Sequence, residues 1–400
     1  MHEPILHFLL PFALPAAAQG GAVLSARATP GLDKIVRYAT LRERVVGEDF
    51  QRSLSHEHWL ATCYGIAAAH TDDDVPLAPY MMLADGVAPG DRRWACVQPV
   101  HVQVAHDHLM LIDPEMLELA ASEADMLLVE ARKSVDALGM TLLAPTPRRW
   151  YLSGDALGVL MGASPLRATG RSIDIWLPHE AAPPRPRSRS WMKLQNEIQM
   201  AWHEHPANQA REARRELPVN SVWLHGQGAL GMVKRPFGAV FSDACASRGL
   251  AIASKTPAAM LPESLSDLMA ASVLARERMT AVTATGAPSA KVTGPAAPFG
   301  LPNGLPDGTA KAGKRSGPTL IELGSLASPF LTQDWGGWLA RLADIEAAWL
   351  TPALQSLEQG DIGEIRLTLC SDTGCVTLGL RRFDLKKFWR RRTLPSLLTN

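Results

Sequence analysis

Three His-x-His triplets contain the side chains best suited to bind a metal ion. They lie at 56–58, 106–108 and 203–205, and each has an acidic residue between the histidines. Imidazole and carboxylate groups are the ligands of Zn and Mn sites. Residues i and i+2 share one face of a strand but diverge by about 200° on a helix, so only the middle triplet, on a strand, would direct both histidines together. The predicted metal ligands are His56, His106, Asp107 and His108. The alternative is that these are surface or helix-end histidines.

A second set of polar side chains follows one face of a helix predicted over 191–205. Gln195, Gln199 and His203 recur every four positions beside an apolar face, and Pro206 ends or kinks the helix. Amide and imidazole groups recognise phosphate, sugar or amide groups through hydrogen bonds. The predicted ligand-binding residues are Gln195, Asn196, Gln199, His203, Asn208, Asn220 and His225. The alternative is a solvated helix face.

Other motifs give weaker signals. Gly226, Gly228 and Gly231 match G-x-G-x-x-G, but 232–236 argue against the helix that a dinucleotide-binding turn needs, so we predict a plain turn. No G-x-S-x-G motif is present to indicate a serine hydrolase. The basic segment 381–392 could contact nucleic acid or an acidic partner, although we expect an amphipathic end-helix that packs Leu385, Phe388 and Trp389.

Composition and charge limit the possible partners. The chain has 400 residues, 46% of them hydrophobic, and 40 basic residues balance 40 acidic ones. This balance favours neither nucleic acid nor an anionic membrane as a partner. Five cysteines without metal-type spacing are typical of a reducing compartment, so we predict a cytoplasmic protein.

The apolar N-terminal segment 5–14 resembles the core of a signal peptide. However, residues 1–4 carry an acid and no basic residue, so we predict a buried first strand, with a signal peptide as the alternative. No apolar run reaches the roughly 18 residues that a membrane-spanning helix needs, and we predict no membrane partner.

Alternating strands and helices predict an α/β fold: a mixed, mostly parallel sheet covered by helices, with an antiparallel hairpin near the C-terminus at 364–380. A long helix is predicted over 113–139. The predicted division of the chain is an N-terminal α/β part (1–180), a Pro/Arg/Ser connector (181–190), a central helix–strand part (191–283), a flexible insertion (284–318) and a C-terminal part (319–400) packing on the rest.

Several segments resemble a known family. They include 6–13, 55–57, 105–109, 170–178, 194–200, 205–206 and 217–221, and they span most of the chain outside 284–318. Together they are similar to the RpfE-type regulatory proteins of β- and γ-proteobacteria, a family often labelled cofactor-independent phosphoglycerate mutase. The resemblance implies a regulatory role but no agreed catalytic residues. Metal-dependent mutases need a serine nucleophile and two sets of Asp/His ligands, and the first predicted strand of this chain runs into Pro11 instead of their acid–glycine motif.

Two functions follow as hypotheses. The first is a cytoplasmic RpfE-type regulatory or binding protein, with a pocket beside the 191–205 helix for a small phosphorylated or polar metabolite. The second is a metal-dependent phosphoglycerate mutase-like phosphotransferase or phosphatase that uses some of the predicted metal ligands and His203. Nucleic-acid binding is the least favoured hypothesis, and the sequence identifies no cofactor.

Overall fold

The chain forms two compact units in a computed structural model that describes residues 3–15, 23–24, 26–66, 73–182, 186, 188–271 and 317–398. Unit 1 comprises Met1–Val46, Lys234–Phe330 and Asp334–Asn400, and unit 2 comprises Gly47–Val233 and Leu331–Gln333. The predicted insertion 284–318 lies outside the described residues, apart from its last two positions.

In chain order, the strands are β1 (Ile5–Leu10), β2 (Thr40–Val45), β3 (Arg93–Val100), β4 (Val102–Val104), β5 (Leu109–Leu111), β6 (Thr141–Thr146), β7 (Arg149–Ser153), β8 (Leu160–Met161), β9 (His179–Glu180), β10 (Ser221–Ala229), β11 (Ala239–Phe241), β12 (Ala258–Ala259), β13 (Thr319–Glu322), β14 (Glu364–Cys370) and β15 (Cys375–Arg381).

The α-helices are α1 (Pro30–Tyr38), α2 (Ser55–Tyr64), α3 (Ala78–Ala84), α4 (Ala121–Ala137), α5 (Pro165–Ala168), α6 (Arg189–His203), α7 (Pro206–Ala213), α8 (Cys245–Ala253), α9 (Ala327–Leu331), α10 (Trp335–Ile345) and α11 (Thr351–Gln359). A π-helical turn, Glu346–Leu350, joins α10 to α11. Single 3-10 turns form at Pro114–Leu117, Asp155–Leu157, Arg382–Lys386 and Pro395–Leu397.

Unit 1 contains a seven-stranded sheet in the order β12-β11-β13-β1-β14-β15-β2. The first five strands are parallel, and β15 and β2 add antiparallel pairs at one side. β1 is central and almost entirely buried, as its unbroken run of apolar residues predicts for a strand covered on both faces. The predicted fold class, including the hairpin of β14 and β15, is confirmed.

Unit 2 contains a separate four-stranded antiparallel sheet in the order β10-β3-β7-β6. Helix α6 packs on β10 and α4 through four residues spaced three or four apart, and all four are buried: Trp191, Leu194, Ile198 and Trp202. The Trp202 indole also donates from Nε1 to the carbonyl oxygen of Leu127 at 3.0 Å. The predicted apolar face of this helix is confirmed.

The structural units differ from the predicted division of the chain. β1 pairs with β13 and β14, so the N-terminal 46 residues belong with the C-terminal part and not with the rest of 1–180. The predicted connector 181–190 does not separate two units, because residues on both sides of it belong to unit 2. Its Ser188 caps α6 by accepting the Trp191 N–H.

Two local predictions are wrong. The helix predicted over 113–139 is interrupted, because Glu118 has a φ of 46° and separates the 3-10 turn from α4. The C-terminal basic segment forms short turns, and Phe388 and Trp389 are exposed instead of packed.

In the ranges that the structure describes, every helix is too short or too polar to cross a membrane.

Candidate functional site

The parallel sheet of unit 1 has a topological switch point between β11 and β13. From β11 the chain continues through α8 to β12 at one edge, whereas from β13 it continues through α10 and α11 to β14 on the opposite side of β1. Adjacent parallel strands whose connections leave in opposite directions open a crevice at their carboxyl ends, where sheets of this class bind ligands. The residues at this point are Ser242, directly after β11, and Glu322, the last residue of β13.

Ser242 and Glu322 are joined by a short hydrogen bond. The Ser242 hydroxyl donates to Oε2 of Glu322 at 2.6 Å, and both residues are buried. Burial raises the pKa of Glu322, and the hydrogen bond from Ser242 opposes that rise. A carboxyl group with a raised pKa can hold and release a proton closer to neutral pH, as general acid–base catalysis requires.

Two charged side chains adjoin this pair. Arg248, in the first turns of α8, donates from Nη1 to the Ser242 carbonyl oxygen at 2.8 Å and is half-buried. Asp243 is exposed and accepts the Leu261 N–H at 3.1 Å. Ser242, Asp243, Arg248 and Glu322 form what we call the sheet-edge cluster. A guanidinium binds phosphate or carboxylate groups, so the cluster combines an anion-binding group with a proton-exchanging one.

The sheet-edge cluster was missed by sequence reasoning. One signal was available, since Ser242-Asp243 directly follows an apolar strand and Glu322 is the only acid in another. What the sequence lacks is the strand order, which alone shows that the two carboxyl ends are adjacent.

Unit 2 holds the predicted ligand-binding residues, but most of their amides serve the fold. The Gln195 amide donates to the Ser221 hydroxyl at 3.2 Å and to the Val222 carbonyl at 2.9 Å, and the Gln199 amide donates to the Ser221 hydroxyl at 2.8 Å. These bonds attach α6 to β10. Ser221 was not singled out in the sequence, although it is the shared acceptor.

The two predicted asparagine ligands beyond α6 also bind backbone groups. Asn208 is buried, and its amide bonds the Trp202 and Val219 carbonyl oxygens and the Val219 N–H. Asn220 bonds both the N–H and the carbonyl oxygen of Val102, at 2.8 and 2.9 Å. Both amides satisfy backbone groups of the protein itself. The ligand role of Asn208 stays a prediction, although its amide is already occupied by backbone groups.

His225 is buried in β10, and burial lowers its pKa to about 4. Its Nε2 has no hydrogen-bond partner among the described residues. Asn196, by contrast, is exposed on α6, and its side chain makes no hydrogen bond within the described part of the chain.

The four predicted metal ligands do not gather into one site among the described residues. His56 is buried in α2, and burial lowers its pKa to about 4. His106, Asp107 and His108 form the turn between β4 and β5, where His108 Nδ1 lies 2.6 Å from Asp107 Oδ1. The described residues contain no group of three His, Cys, Asp or Glu side chains placed to hold a metal ion, so these four do not form one site.

A groove in unit 2 contains three of the predicted ligand-binding residues. It has a volume of about 430 Å³ and is lined by Val102, Leu109, Gln199, Met200, His203 and Asn220. We call it the α6 groove. Its polar groups come from α6 and from the residue before β10, and its apolar wall comes from β4, β5 and α6.

Comparisons with known proteins give little further information. No family model matches the chain, and no curated protein is significantly similar to it. The PH0037 protein of Pyrococcus horikoshii has 12% identity and a TM-score of 0.48, over 95% of this chain and 88% of that one. A cofactor-independent phosphoglycerate mutase of Thermoplasma acidophilum has 13% identity and a TM-score of 0.41, over 100% and 95%. Neither likeness is strong enough to indicate a shared activity, and none of these comparisons supports the RpfE-type resemblance.

Proposed function

We propose that this protein binds a small polar metabolite in the α6 groove. The observation that carries the proposal is the convergence of Gln199 and His203 in a groove whose volume of about 430 Å³ is in the range of small-molecule sites. A regulatory role of the RpfE type in the cytoplasm would use such binding, but its support is the sequence resemblance alone.

The hydrogen bonds define which groups are available to a ligand. The Gln199 amide nitrogen is held by Ser221, which fixes the side chain and leaves Oε1 without a partner among the described residues. The His203 side chain is exposed and makes no hydrogen bond to any described residue. The ligand therefore needs a hydrogen-bond donor for Gln199 and a polar group for His203.

The rest of the lining defines the kind of molecule. Val102, Leu109 and Met200 offer an apolar wall, and none of the six lining residues is Lys or Arg. Phosphate sites usually contain a cation or several backbone N–H donors. Of the two predicted ligand classes, the α6 groove therefore favours a polar molecule with one apolar face over a phosphorylated one.

The test is a thermal-shift screen of polar metabolites, followed by calorimetry on the wild type and two alanine variants. His203→Ala removes a groove side chain, whereas Asn196→Ala removes an exposed polar side chain from the same helix outside the groove. We expect His203→Ala to weaken binding about tenfold, which is the size of one lost hydrogen bond to an ionisable group. Asn196→Ala should leave the affinity unchanged. Equal affinity of all three proteins would show that the ligand binds elsewhere.

A second candidate is a phosphoglycerate mutase-like phosphotransferase or phosphatase that acts at the sheet-edge cluster. It is favoured by the position of the Ser242–Glu322 pair beside Arg248 at the switch point. In this role Arg248 would orient the phosphate of a small phosphorylated metabolite, and Glu322 would exchange a proton with it. The acid that metal-dependent mutases carry after their first strand has no counterpart in this chain, since β1 is followed by Pro11, Phe12 and Ala13.

Turnover of phosphoglycerates is the test of this candidate, with and without added Mn or Zn. Activity that falls at least tenfold in Glu322→Gln and Arg248→Ala, but not in Arg341→Ala, would support it. Arg341 is the control because it is an exposed arginine of the same unit that forms an ion pair with the exposed Asp344. No turnover with or without added metal would reject this candidate and leave metabolite binding as the single proposed function. Elemental analysis of protein purified without chelator would show whether a metal is retained.

A further inference from the structure

Three aromatic side chains near the C-terminal end of the described chain are exposed to solvent. The exposed fractions are 76% for Phe383, 81% for Phe388 and 64% for Trp389. The Phe388 and Trp389 rings contact each other edge to face, with centroids 5.3 Å apart. Clustered exposed apolar groups of this kind mark an interaction surface more often than isolated ones do.

The segment that carries these rings is anchored by some of its own cations. Lys387 pairs with Asp384 at 2.6 Å, Arg392 donates to the Ala39 carbonyl oxygen at 2.9 Å, and Arg390 donates to the carbonyl oxygen of Tyr38. Leu394 and Leu397 beyond it are buried. The segment is therefore held to unit 1 while its aromatic rings remain outside.

A second set of cations on the same segment is directed to solvent. Arg382, Lys386 and Arg391 are exposed and form no ion pair with any described residue. The Lys386 ammonium lies 5.7 Å from the centre of the Phe383 ring. We call the exposed aromatic and unpaired basic residues of positions 382–391 the aromatic–basic surface: Arg382, Phe383, Lys386, Phe388, Trp389 and Arg391.

We propose that the aromatic–basic surface docks on an anionic lipid surface. Trp rings favour the headgroup region of a bilayer, and Phe rings of surface-bound segments are buried at the boundary between headgroups and acyl chains. Lys and Arg near that region are attracted to anionic lipids. The exposed rings and the unpaired cations supply both contributions on one segment. Contact of this kind needs no spanning helix. This proposal of lipid binding differs from the sequence-based prediction of no membrane partner, because that prediction considered only membrane-spanning segments.

The geometry of the rings favours lipid over single-stranded nucleic acid, the other anionic polymer that aromatic–basic surfaces bind. Bases stack on the faces of exposed rings. Phe388 and Trp389 are inclined at 81° to each other, so two bases that remain stacked on one another cannot lie on both rings. The Lys386 ammonium also lies over one face of Phe383. Insertion into a headgroup region requires no parallel faces.

The test is flotation of the full chain with vesicles, using phosphatidylglycerol mixed with phosphatidylcholine in one series and phosphatidylcholine alone in the other. We expect binding to the anionic vesicles only. Phe388→Ser combined with Trp389→Ser should weaken it at least tenfold, and so should the triple change of Arg382, Lys386 and Arg391 to Gln. Met232→Ser is the matched control, because Met232 is 98% exposed and lies outside this surface.

Circular dichroism establishes that each variant is folded before binding is compared. Two results would overturn the proposal. One is that the wild type fails to float with anionic vesicles. The other is that it floats equally well when either the aromatic or the basic set is removed. Retention of a single-stranded oligothymidylate that is lost in the aromatic double variant, without vesicle binding, would assign the surface to nucleic acid instead.

Discussion

Each unit contains a buried carboxyl group that accepts a hydrogen bond from a serine hydroxyl, but the two pairs have different surroundings. In unit 2, Asp74 accepts from Ser53 at 2.9 Å and from the Gly226 N–H at 2.5 Å, and Ser53 in turn accepts the Val75 N–H at 2.9 Å. In unit 1, Glu322 accepts from Ser242 at 2.6 Å beside the half-buried Arg248 and the exposed Asp243.

The difference separates a structural carboxyl from a candidate functional one. Asp74 is tied to backbone groups of two segments, at Gly162 and Gly226, and to the Ser53 hydroxyl of a third, and it is buried in unit 2. Glu322 has a similar partner but lies at the switch point of a parallel sheet, next to charged groups that can reach solvent. The raised pKa that both groups share therefore does not identify a functional site by itself, and the position in the fold has to be added.

The largest effect is expected from Asp74→Ala. It leaves the Gly226 N–H and the Ser53 hydroxyl buried without their partner, and we expect a loss of about 3 kcal/mol in the free energy of unfolding. Urea unfolding of the full chain measures it. Ser53→Ala should cost about half as much, and a loss below about 1 kcal/mol for Asp74→Ala would contradict the structural role.

The pH dependence of stability gives a second way to separate the pairs. Burial raises the pKa of Asp74 to about 6 from 3.8. A raised pKa in the folded state gives stability that is fully present below pH 3.8 and is lost as the pH rises through about 6. Relative to Asp74→Asn, which cannot ionise, the wild type should therefore lose about 2 kcal/mol between pH 4 and pH 7. A constant difference between the two proteins across this range would show that Asp74 titrates normally.

Glu322→Gln should change stability less, by about 1 kcal/mol or below. A glutamine keeps an oxygen for Ser242, and a serine hydroxyl can also reverse its role and accept from the new amide. Thermal unfolding together with the phosphoglycerate assay checks this. A loss as large as that of Asp74→Ala would place Glu322 with the structural carboxyls and would weaken the second candidate function.

The smallest changes in the free energy of unfolding are expected for substitutions of two polar residues of the α6 groove. Asn220→Ala removes both hydrogen bonds to Val102 and should cost about 1 kcal/mol, while His203→Ala, which removes none, should stay within about 0.5 kcal/mol. Urea unfolding of both variants is sufficient. Equal losses would mean that His203 also supports the fold.

Local pattern was enough to predict much of the architecture. The apolar run of β1 predicted a buried strand, Ser371 to Gly374 predicted the turn of the hairpin, and the spacing of Trp191 and Trp202 predicted the buried face of α6. These features depend on neighbours in the sequence, so the sequence contains the necessary information.

Non-local contacts account for what was missed. The spacing of Gln195 and Gln199 shows that they share a helix face, but not that Ser221 lies opposite and binds both amides. The switch point depends in the same way on which strands are neighbours. The aromatic residues near the C-terminus were expected to pack because they are apolar, but they are exposed on a segment held by non-local bonds such as that from Arg392 to the Ala39 carbonyl oxygen.

The interleaving of the two units in the sequence has a consequence for synthesis on the ribosome. Unit 2 is almost continuous from Gly47 to Val233, so nearly all of it has been synthesised before residues 234–400 are added. β1 is synthesised before unit 2, yet both of its neighbours in the sheet, β13 and β14, are synthesised after Val233. Since domains generally fold as units during synthesis, the apolar β1 must remain unpaired while unit 2 folds. We expect it to need protection by a chaperone during that interval.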